Sequence, residues 1–444
     1  MSTAVADHAL LGELFGDAAL ARHLDAAAEI AAMIRFEAAL AEMQGRLGIV
    51  PEAAGRSIAA TLAETTVAPE TLAPGTRAAG VPVPALVAHL RAAIGPPHGG
   101  YVHWGATSQD VMDTGLVLRL RDCLDLLEER LEVLLDRLSA AAEAHARLEM
   151  AARTRAQVAT PTVLGLRIAG WRAPLARCQT RLAELRPRLL VVQLGGAAGT
   201  QSVFGAQGVA LMEGLAHALG LGCPAKPWHA ERDALVELAN WLAMVTGLLG
   251  RIGGDLILLG RSEIGELAAG TGGGSSTMPQ KANPVQAEAL VALARQAGAQ
   301  AGLAQQALLH QEERDSTAWA LEWMVLPALL QAAGAALNHA TALAGTLTPK
   351  PPRMAETLAR GGGTVHAEAL AFSLAGQIPL PEAQAMVKAA ARAVSEHGGS
   401  LEAQLAEACR GRGLTAPSAP EGAAAEAAAP LIARSLAEGR GTET

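Results

Sequence analysis

Aromatic side chains are scarce in this chain: 2% of its 444 residues, with a single tyrosine. Half the residues are nonetheless hydrophobic, so the core must be built from alanine, leucine and valine, a composition that suits close helix packing and predicts an all-α protein. A basic excess is also missing. The formal net charge of −8 and a pI near 5.9 argue against a general nucleic-acid surface, which needs a basic face. A small anionic substrate is still compatible, because a site can be locally basic. Cysteine is limited to Cys123, Cys178, Cys223 and Cys409, without the close pairing of a metal site, and these read as reduced thiols of a cytoplasmic protein. No HExxH or similar metal pattern occurs, and the glycine runs at 272–274 and 361–363 lack the preceding strand of a nucleotide loop. The N-terminal MSTAVADHALLGELF has no basic segment followed by a long apolar core, so it does not read as a secretory signal. The most apolar run, 238–250, is too short to span a bilayer before Arg251 interrupts it. A soluble protein without membrane partners is expected.

What is present is helical periodicity. Residues 26–47 read as one helix, with Ile30, Ile34, Leu40 and Met43 on an apolar face. Prolines and glycines between 51 and 80 predict small helices and turns, and a further helix resumes over 80–90. From Thr107 the character changes. Leu120, Leu124, Leu127, Leu131, Leu134 and Leu138 form a seam spaced by four and three, and a second seam runs from Leu235 through Leu238, Leu242, Val245, Leu249, Ile252 and Leu256 to Leu259. Helical from Ala230 to Leu267, that segment would be roughly 55 Å long. Between Glu237 and Arg251 it carries no charge on any face, which predicts burial by partner subunits as well as by its own chain. With helices over 160–190, 285–311 and 317–345, about five long helices form a central bundle. Three regions follow: an N-terminal helical domain (1–105), the long-helix bundle (106–347) and a small C-terminal helical domain (348–444). In the last, shorter helices are expected over 353–375 and 381–397, then an Ala/Glu-rich segment that Pro430 interrupts.

Four stretches concentrate polar chemistry. GTGGGSSTMPQKANPV (270–285) carries three consecutive glycines, Ser275 and Ser276, then Lys281 and Asn283. Composition alone makes it a Gly/Ser linker; a lid over a substrate is the alternative. Asn283 suits the cap and Pro284 the first turn of a following helix, which would place Lys281 just before a helix N-terminus, where anions bind. YVHWGATSQDVMDTG (101–115) puts Thr107 and Ser108 at the start of the leucine seam. They can hold a carboxylate there or cap the helix, with Asp110 and Asp113 in its first turn. ARTRAQVATPTVLG (152–165) offers Arg153, Thr154, Arg155 and Gln157; paired arginines clamp carboxylates but more often are solvated surface charges. HQEERDSTAWALEW (310–323), in which Arg314 and Asp315 precede another long helix, offers His310, Arg314 and Glu322, with an exposed helix start as the plainer reading. His103, His229 and His366 are noted only as neighbours of these motifs.

Together the four stretches resemble the fumarase/aspartase superfamily. GSSTMPQKANP resembles its signature GSSxMPxKxNP, and the similarity runs from roughly residue 30 to 375. VHWGATSQDVMDTGLVLRLR, RDSTAWALEWMVLP and AAGVPVPALV are similar to the superfamily's bacterial cycloisomerase branch. The ARTRAQ motif puts Arg155 where fumarases and the fumarate-releasing lyases carry a histidine. Ala282 and Gln280 also depart from the lyases' MPHKRNP. The resemblance implies the three-domain L-aspartase-like fold and cofactor-free addition or elimination beside a carboxylate of a small polycarboxylate. It also implies a homotetramer whose sites are shared between subunits. By carry-over, Ser275, Ser276 and Lys281 are catalytic, while Thr107, Ser108, Thr154, Gln157 and Asn283 bind substrate carboxylates. Arg155 and Arg314 are added as cations for a substrate with several carboxylates.

Overall fold

Apolar spacing decides the architecture, and the computed structural model follows it closely. It describes residues 4–274, 277–278 and 280–438. The N-terminal region contains α1 (Gly12–Phe15), α2 (Ala18–Leu24), α3 (Ala26–Arg46), α4 (Glu52–Ala63), α5 (Pro69–Ala79) and α6 (Val83–Ile94). Then come α7 (Ser108–Ala144), a hairpin of β1 (Glu149–Thr154) and β2 (Gln157–Val163), α8 (Leu164–Leu189), α9 (Gly208–Leu219) and α10 (Asp233–Gly260). The short β3 (Leu267–Ala268) precedes α11 (Val285–Ala304) and α12 (Ser316–Ala344), and β4 (Thr348–Pro349) precedes α13 (Pro351–Ala359), α14 (Ala367–Leu374), α15 (Leu380–His397), α16 (Leu401–Arg410) and α17 (Ala423–Ala437). The fold is all-α, and α7, α8, α10, α11 and α12 are the five long helices expected of the middle of the chain.

The described residues fall into two compact units. The first comprises the described residues of 4–131, 178–250 and 292–338, the second those of 132–177, 251–291 and 339–438. In the first, Ile30, Phe36, Leu40, Leu86, Leu90 and Val111 share one apolar core with Leu211, Leu215 and Trp319. Helices α3 and α4 cross closely there because neither carries a side chain at the contact: a Cβ on Gly55 would sit 2.6 Å from the Ala41 carbonyl oxygen. In the second unit, Leu370, Leu374, Val387, Leu401 and Leu405 form the core of α14–α16.

Both leucine seams are buried, with every named residue from Leu120 to Leu138 at 1% exposure or less. Burying each such side chain contributes about 1.5–3 kcal/mol. On α10, Asn240, Met244 and Gly247 stay exposed in the single chain, an uncharged stripe at helical spacing opposite the seam.

Four expectations need correction. Helix α10 stops at Gly260 rather than Leu267, because Glu266 N–H turns back to the Leu259 carbonyl and Leu267–Ala268 pair antiparallel with Thr348–Pro349. The helix expected from residue 160 starts at Leu164, since 157–163 pair with 149–154 as a hairpin. Pro284 rather than Asn283 caps α11, its carbonyl accepting from Glu288 N–H, while both backbone groups of Asn283 are committed to Gly273. Pro430 lies inside α17 and does not end it. By length and composition alone α10 and α12 could cross a bilayer, despite Arg251. Their seams, however, are buried within the fold, as in core helices.

Candidate active site

In the first unit, the start of α7 is organised around one carboxylate. Thr107 N–H donates to Asp110 Oδ2 at 3.0 Å, the reciprocal half of a capping box. Asp110, fully buried, also accepts from Gly195 N–H at 2.7 Å and Gly196 N–H at 2.9 Å. His229 Nε2 lies 2.8 Å from its Oδ1, so that nitrogen carries the proton. Three chain segments therefore converge on Asp110. A Cβ on Gly195 would meet the His229 ring at 2.7 Å, which makes glycine obligatory there. The Thr107 and Ser108 hydroxyls are half-buried and make no hydrogen bond to another described residue. The capping and carboxylate-holding readings of this stretch are thus compatible: Asp110 is spent on the cap, and the hydroxyls are left over.

The preceding turn is fixed as firmly. His103 adopts φ 62°, and its Nδ1 lies 2.6 Å from the buried Glu37 carboxylate. Burial disfavours the imidazolium, but the hydrogen bond and charge of Glu37 prevail and raise its pKa. Gln44 holds the Trp104 carbonyl at 2.7 Å.

Asp113 and Glu322 belong to the core. Arg232 forks between them, with Nη1 and Nη2 at 2.7 and 3.0 Å from Asp113 and Nε and Nη2 at 2.7 and 2.5 Å from Glu322. Trp228 stacks on the guanidinium, and Trp319 Nε1–H donates to Asp113. Arg314 donates to the Ala197 carbonyl at 2.8 Å, bracing the loop that supplies Gly195 and Gly196. The His310 ring nitrogens are buried without a partner among the described residues, and burial lowers its pKa.

In the second unit, Thr154, Arg155 and Gln157 sit exposed at the tip of the β1–β2 hairpin. Thr154 pairs with Gln157 across a two-residue turn in which Arg155 has φ 50° and Ala156 φ 65°. Such turns favour Asn-Gly. Two residues with Cβ atoms in the left-handed region are strained, and strain of this kind collects where a side chain has work to do. Arg155 makes no ion pair with a described residue. Arg153 does clamp a carboxylate, but the protein's own: its two terminal nitrogens lie 2.8 and 2.7 Å from Glu266.

Ser275 and Ser276 lie outside the described residues. The ends of their loop are joined by two hydrogen bonds, Gly273 N–H to the Asn283 carbonyl (2.8 Å) and the reverse (2.9 Å). Lys281 is exposed and Asn283 half-buried. Within this unit the structure presents Thr154, Arg155 and Gln157 on one hairpin and Lys281 and Asn283 at one loop base. Thr107, Ser108 and Arg314 belong to the other unit. The Asp110 hub, Gly195, Gly196 and the Glu37–His103 pair escaped the sequence reading, although LGGAAGT (194–200) carried a signal in its small residues. Among the described residues no group of three or more His, Cys, Asp or Glu side chains could hold a metal.

Comparison with known proteins bears on these segments. A family model described as Lyase matches residues 22–298. The chain is 41% identical to the 3-carboxy-cis,cis-muconate cycloisomerase of Pseudomonas aeruginosa, over 85% of this chain and 84% of that one. Its fold superposes on the 3-carboxy-cis,cis-muconate lactonizing enzyme of Pseudomonas putida with a TM-score of 0.90, at 36% identity, covering 97% and 99% of the two chains. It also superposes on a fumarate lyase from Mesorhizobium sp. BNC1, with a TM-score of 0.84, 34% identity and 96% and 95% coverage.

Proposed function

The chain belongs to the fumarase/aspartase superfamily of lyases, and on that premise we propose that it is a cycloisomerase closing 3-carboxy-cis,cis-muconate to 4-carboxymuconolactone. The reaction belongs to protocatechuate breakdown through the β-ketoadipate route and needs no cofactor. The observation that carries this reading is the likeness, over nearly the full length of both chains, to the Pseudomonas putida lactonizing enzyme.

The substrate brings its own nucleophile. One carboxylate oxygen adds to the diene, one C–O bond forms, and charge moves onto the carboxylate that serves as electron sink. The carbon beside that sink then takes a proton. Ser275 is read as the donor, with its alkoxide stabilised by loop amides, Ser276 and Lys281. Lys281 and Asn283 hold the sink carboxylate, and Thr107, Ser108, Thr154 and Gln157 hold the others. Arg155 supplies a second cation. Its strained, exposed position supports that role, because neither the turn nor any internal ion pair requires an arginine there. Arg314 already spends one N–H on Ala197 and contributes a weaker field. We read the assembly as a cytoplasmic homotetramer whose sites draw on several subunits. The exposed Asn240–Met244–Gly247 stripe supports this reading, and the three-region division at 105 and 347 goes with it.

The purified protein is expected to bleach the ultraviolet absorbance of 3-carboxy-cis,cis-muconate, because ring closure breaks the conjugation. Ser275→Ala should abolish turnover while keeping the oligomer seen by light scattering. Absence of bleaching at high enzyme concentration would sink the assignment. The resemblance to a fumarate lyase favours a second reading, release of fumarate from adenylosuccinate or argininosuccinate, which direct measurement of fumarate detects. A catalytically silent homologue would show neither.

A further inference from the structure

Arg119, on α7, is a largely buried cation that no described residue satisfies. Its side chain is 13% exposed, and the Glu29 carboxylate approaches it only to 4.0 Å, too far for a hydrogen bond. The Nε–H is fully buried without a partner among the described residues. Burial pushes the pKa of this guanidinium down, and the charge of Glu29 does not restore it. Arginine presents five N–H donors in a fixed fork, and a buried charged donor left unmade is costly. Arg232, in the same unit, shows the contrast: its fork is filled by Asp113 and Glu322. An empty fork amid close packing marks a place for an acceptor from outside the chain.

Arg119 lines a cavity of about 200 Å³ enclosed within the first unit by α7, α12, the end of α2 and the start of α3. Met112, Leu116, Leu326 and Leu330 make most of the wall apolar. Trp319 and Trp323 also line it and meet edge to face, with ring centroids 4.8 Å apart. The bond from Trp319 Nε1–H to Asp113 fixes the inner ring, whereas Trp323 is 38% exposed and reaches the surface. Asp113 and Glu322 border the cavity too, but all four of their carboxylate oxygens already accept from Arg232. Glu29, 35% exposed, is screened by solvent. An apolar cavity of roughly 150 Å³ is large enough for benzene. A flat ring can therefore pack against the tryptophan pair while a carboxylate attached to it enters the guanidinium fork.

We propose that this cavity is a binding site for a single-ring aromatic carboxylate, with the carboxylate held by Arg119 and the ring packed against Trp319 and Trp323. None of the lining residues is among those assigned above to substrate. A trianion would leave two of its carboxylates against apolar wall, so the site selects a different molecule from the one proposed for the reaction. It stands whether or not the chain closes 3-carboxy-cis,cis-muconate.

Benzoate is the probe. Isothermal titration calorimetry should show benzoate binding to the parent protein, and benzyl alcohol, which keeps the ring and loses the charge, binding roughly 10–100-fold more weakly, the scale of one charge-assisted hydrogen-bonded contact. Arg119→Met fills the same volume without the unpaired charge. It should lose benzoate affinity by the same factor, with the parent's oligomeric state in light scattering and a urea midpoint that is not lowered. Lys281→Met, which alters the proposed reaction site, should leave benzoate affinity within roughly threefold. Benzoate should also change tryptophan fluorescence and raise the urea midpoint of the parent, since a ligand stabilises the state it binds, and do neither in Arg119→Met.

No heat and no fluorescence change at millimolar benzoate would overturn the proposal and leave the cavity to water. Benzoate affinity unchanged in Arg119→Met, or lost in Lys281→Met instead, would overturn it by placing the ligand elsewhere. A changed oligomeric state in Arg119→Met would overturn it as well, by assigning the empty fork to a carboxylate of another copy of the chain.

Discussion

Replacing Arg155 by asparagine and Ala156 by glycine should make the protein more stable and less active at once. The two residues form the turn between Thr154 and Gln157 with φ of 50° and 65°. Left-handed backbone costs about 1–2 kcal/mol for a residue carrying a Cβ, and Asn-Gly is the pair such a turn prefers. The Arg155 side chain is exposed and makes no ion pair with a described residue, so no internal contact opposes the gain. Relief of roughly 1–3 kcal/mol follows from the two positions together. If Arg155 holds a substrate carboxylate as proposed above, the same change also removes a charge-assisted hydrogen bond, with a loss of about 1.5–3 kcal/mol, or roughly 10–100-fold in kcat/KM. Denaturant midpoints and steady-state kinetics on 3-carboxy-cis,cis-muconate read the two effects separately, and Ala156→Gly alone should give part of the stability gain with activity retained. An unchanged kcat/KM in the double variant would remove Arg155 from the site. A lowered midpoint would show that the turn is unstrained.

Glu37→Gln should remove the raised pKa of His103. Because the folded value lies above the ordinary one near 6.5, the pair's stabilisation is complete below about pH 6.5 and is lost as pH rises through the folded value; unfolding midpoints of parent and variant should converge as pH increases, and a gap that widens instead would contradict the pairing. Asp110→Asn retains one acceptor oxygen and gives up the other, which leaves Thr107 N–H and Gly196 N–H short of a partner; a loss of about 1–3 kcal/mol for each is expected in urea unfolding, and an unchanged midpoint would remove Asp110 as the hub. In the native protein a thiol reagent should label Cys223, the exposed cysteine, while Cys123, Cys178 and Cys409 are buried and burial pushes Cys123 up to about 12. A second fast-reacting thiol would show that the core opens.

Local periodicity made the five long helices legible, since each carries its own apolar stripe and needs no knowledge of distant residues. Apart from Pro430, which α17 accommodates, the features not legible in the sequence depend on a distant partner. α10 ends at Gly260 because Leu267 pairs with Pro349, and no window around residue 260 contains that strand. The hairpin at 149–163 looked like a polar loop running into a helix, because Pro161 suits a helix start as well as an irregular strand. In ARTRAQ the resemblance singles out Arg155 by its place but leaves Arg153 without a role; only Glu266, more than a hundred residues on, shows that Arg153 pairs within the protein. Asp110 and Asp113 likewise look like one first-turn pair, yet one caps the helix and gathers glycine amides and the other is held by Arg232. The resemblance located the functional stretches as motifs. What each side chain does inside a motif came from the contacts.

The most direct test of the central claim is the product formed from 3-carboxy-cis,cis-muconate in deuterium oxide, observed by proton NMR. The expected product is 4-carboxymuconolactone carrying one deuterium on the carbon beside the sink carboxylate, formed by the parent enzyme without added metal or nucleotide and not by Ser275→Ala. Unchanged substrate in the presence of the folded parent enzyme, or lactone formed equally fast by Ser275→Ala, would contradict it.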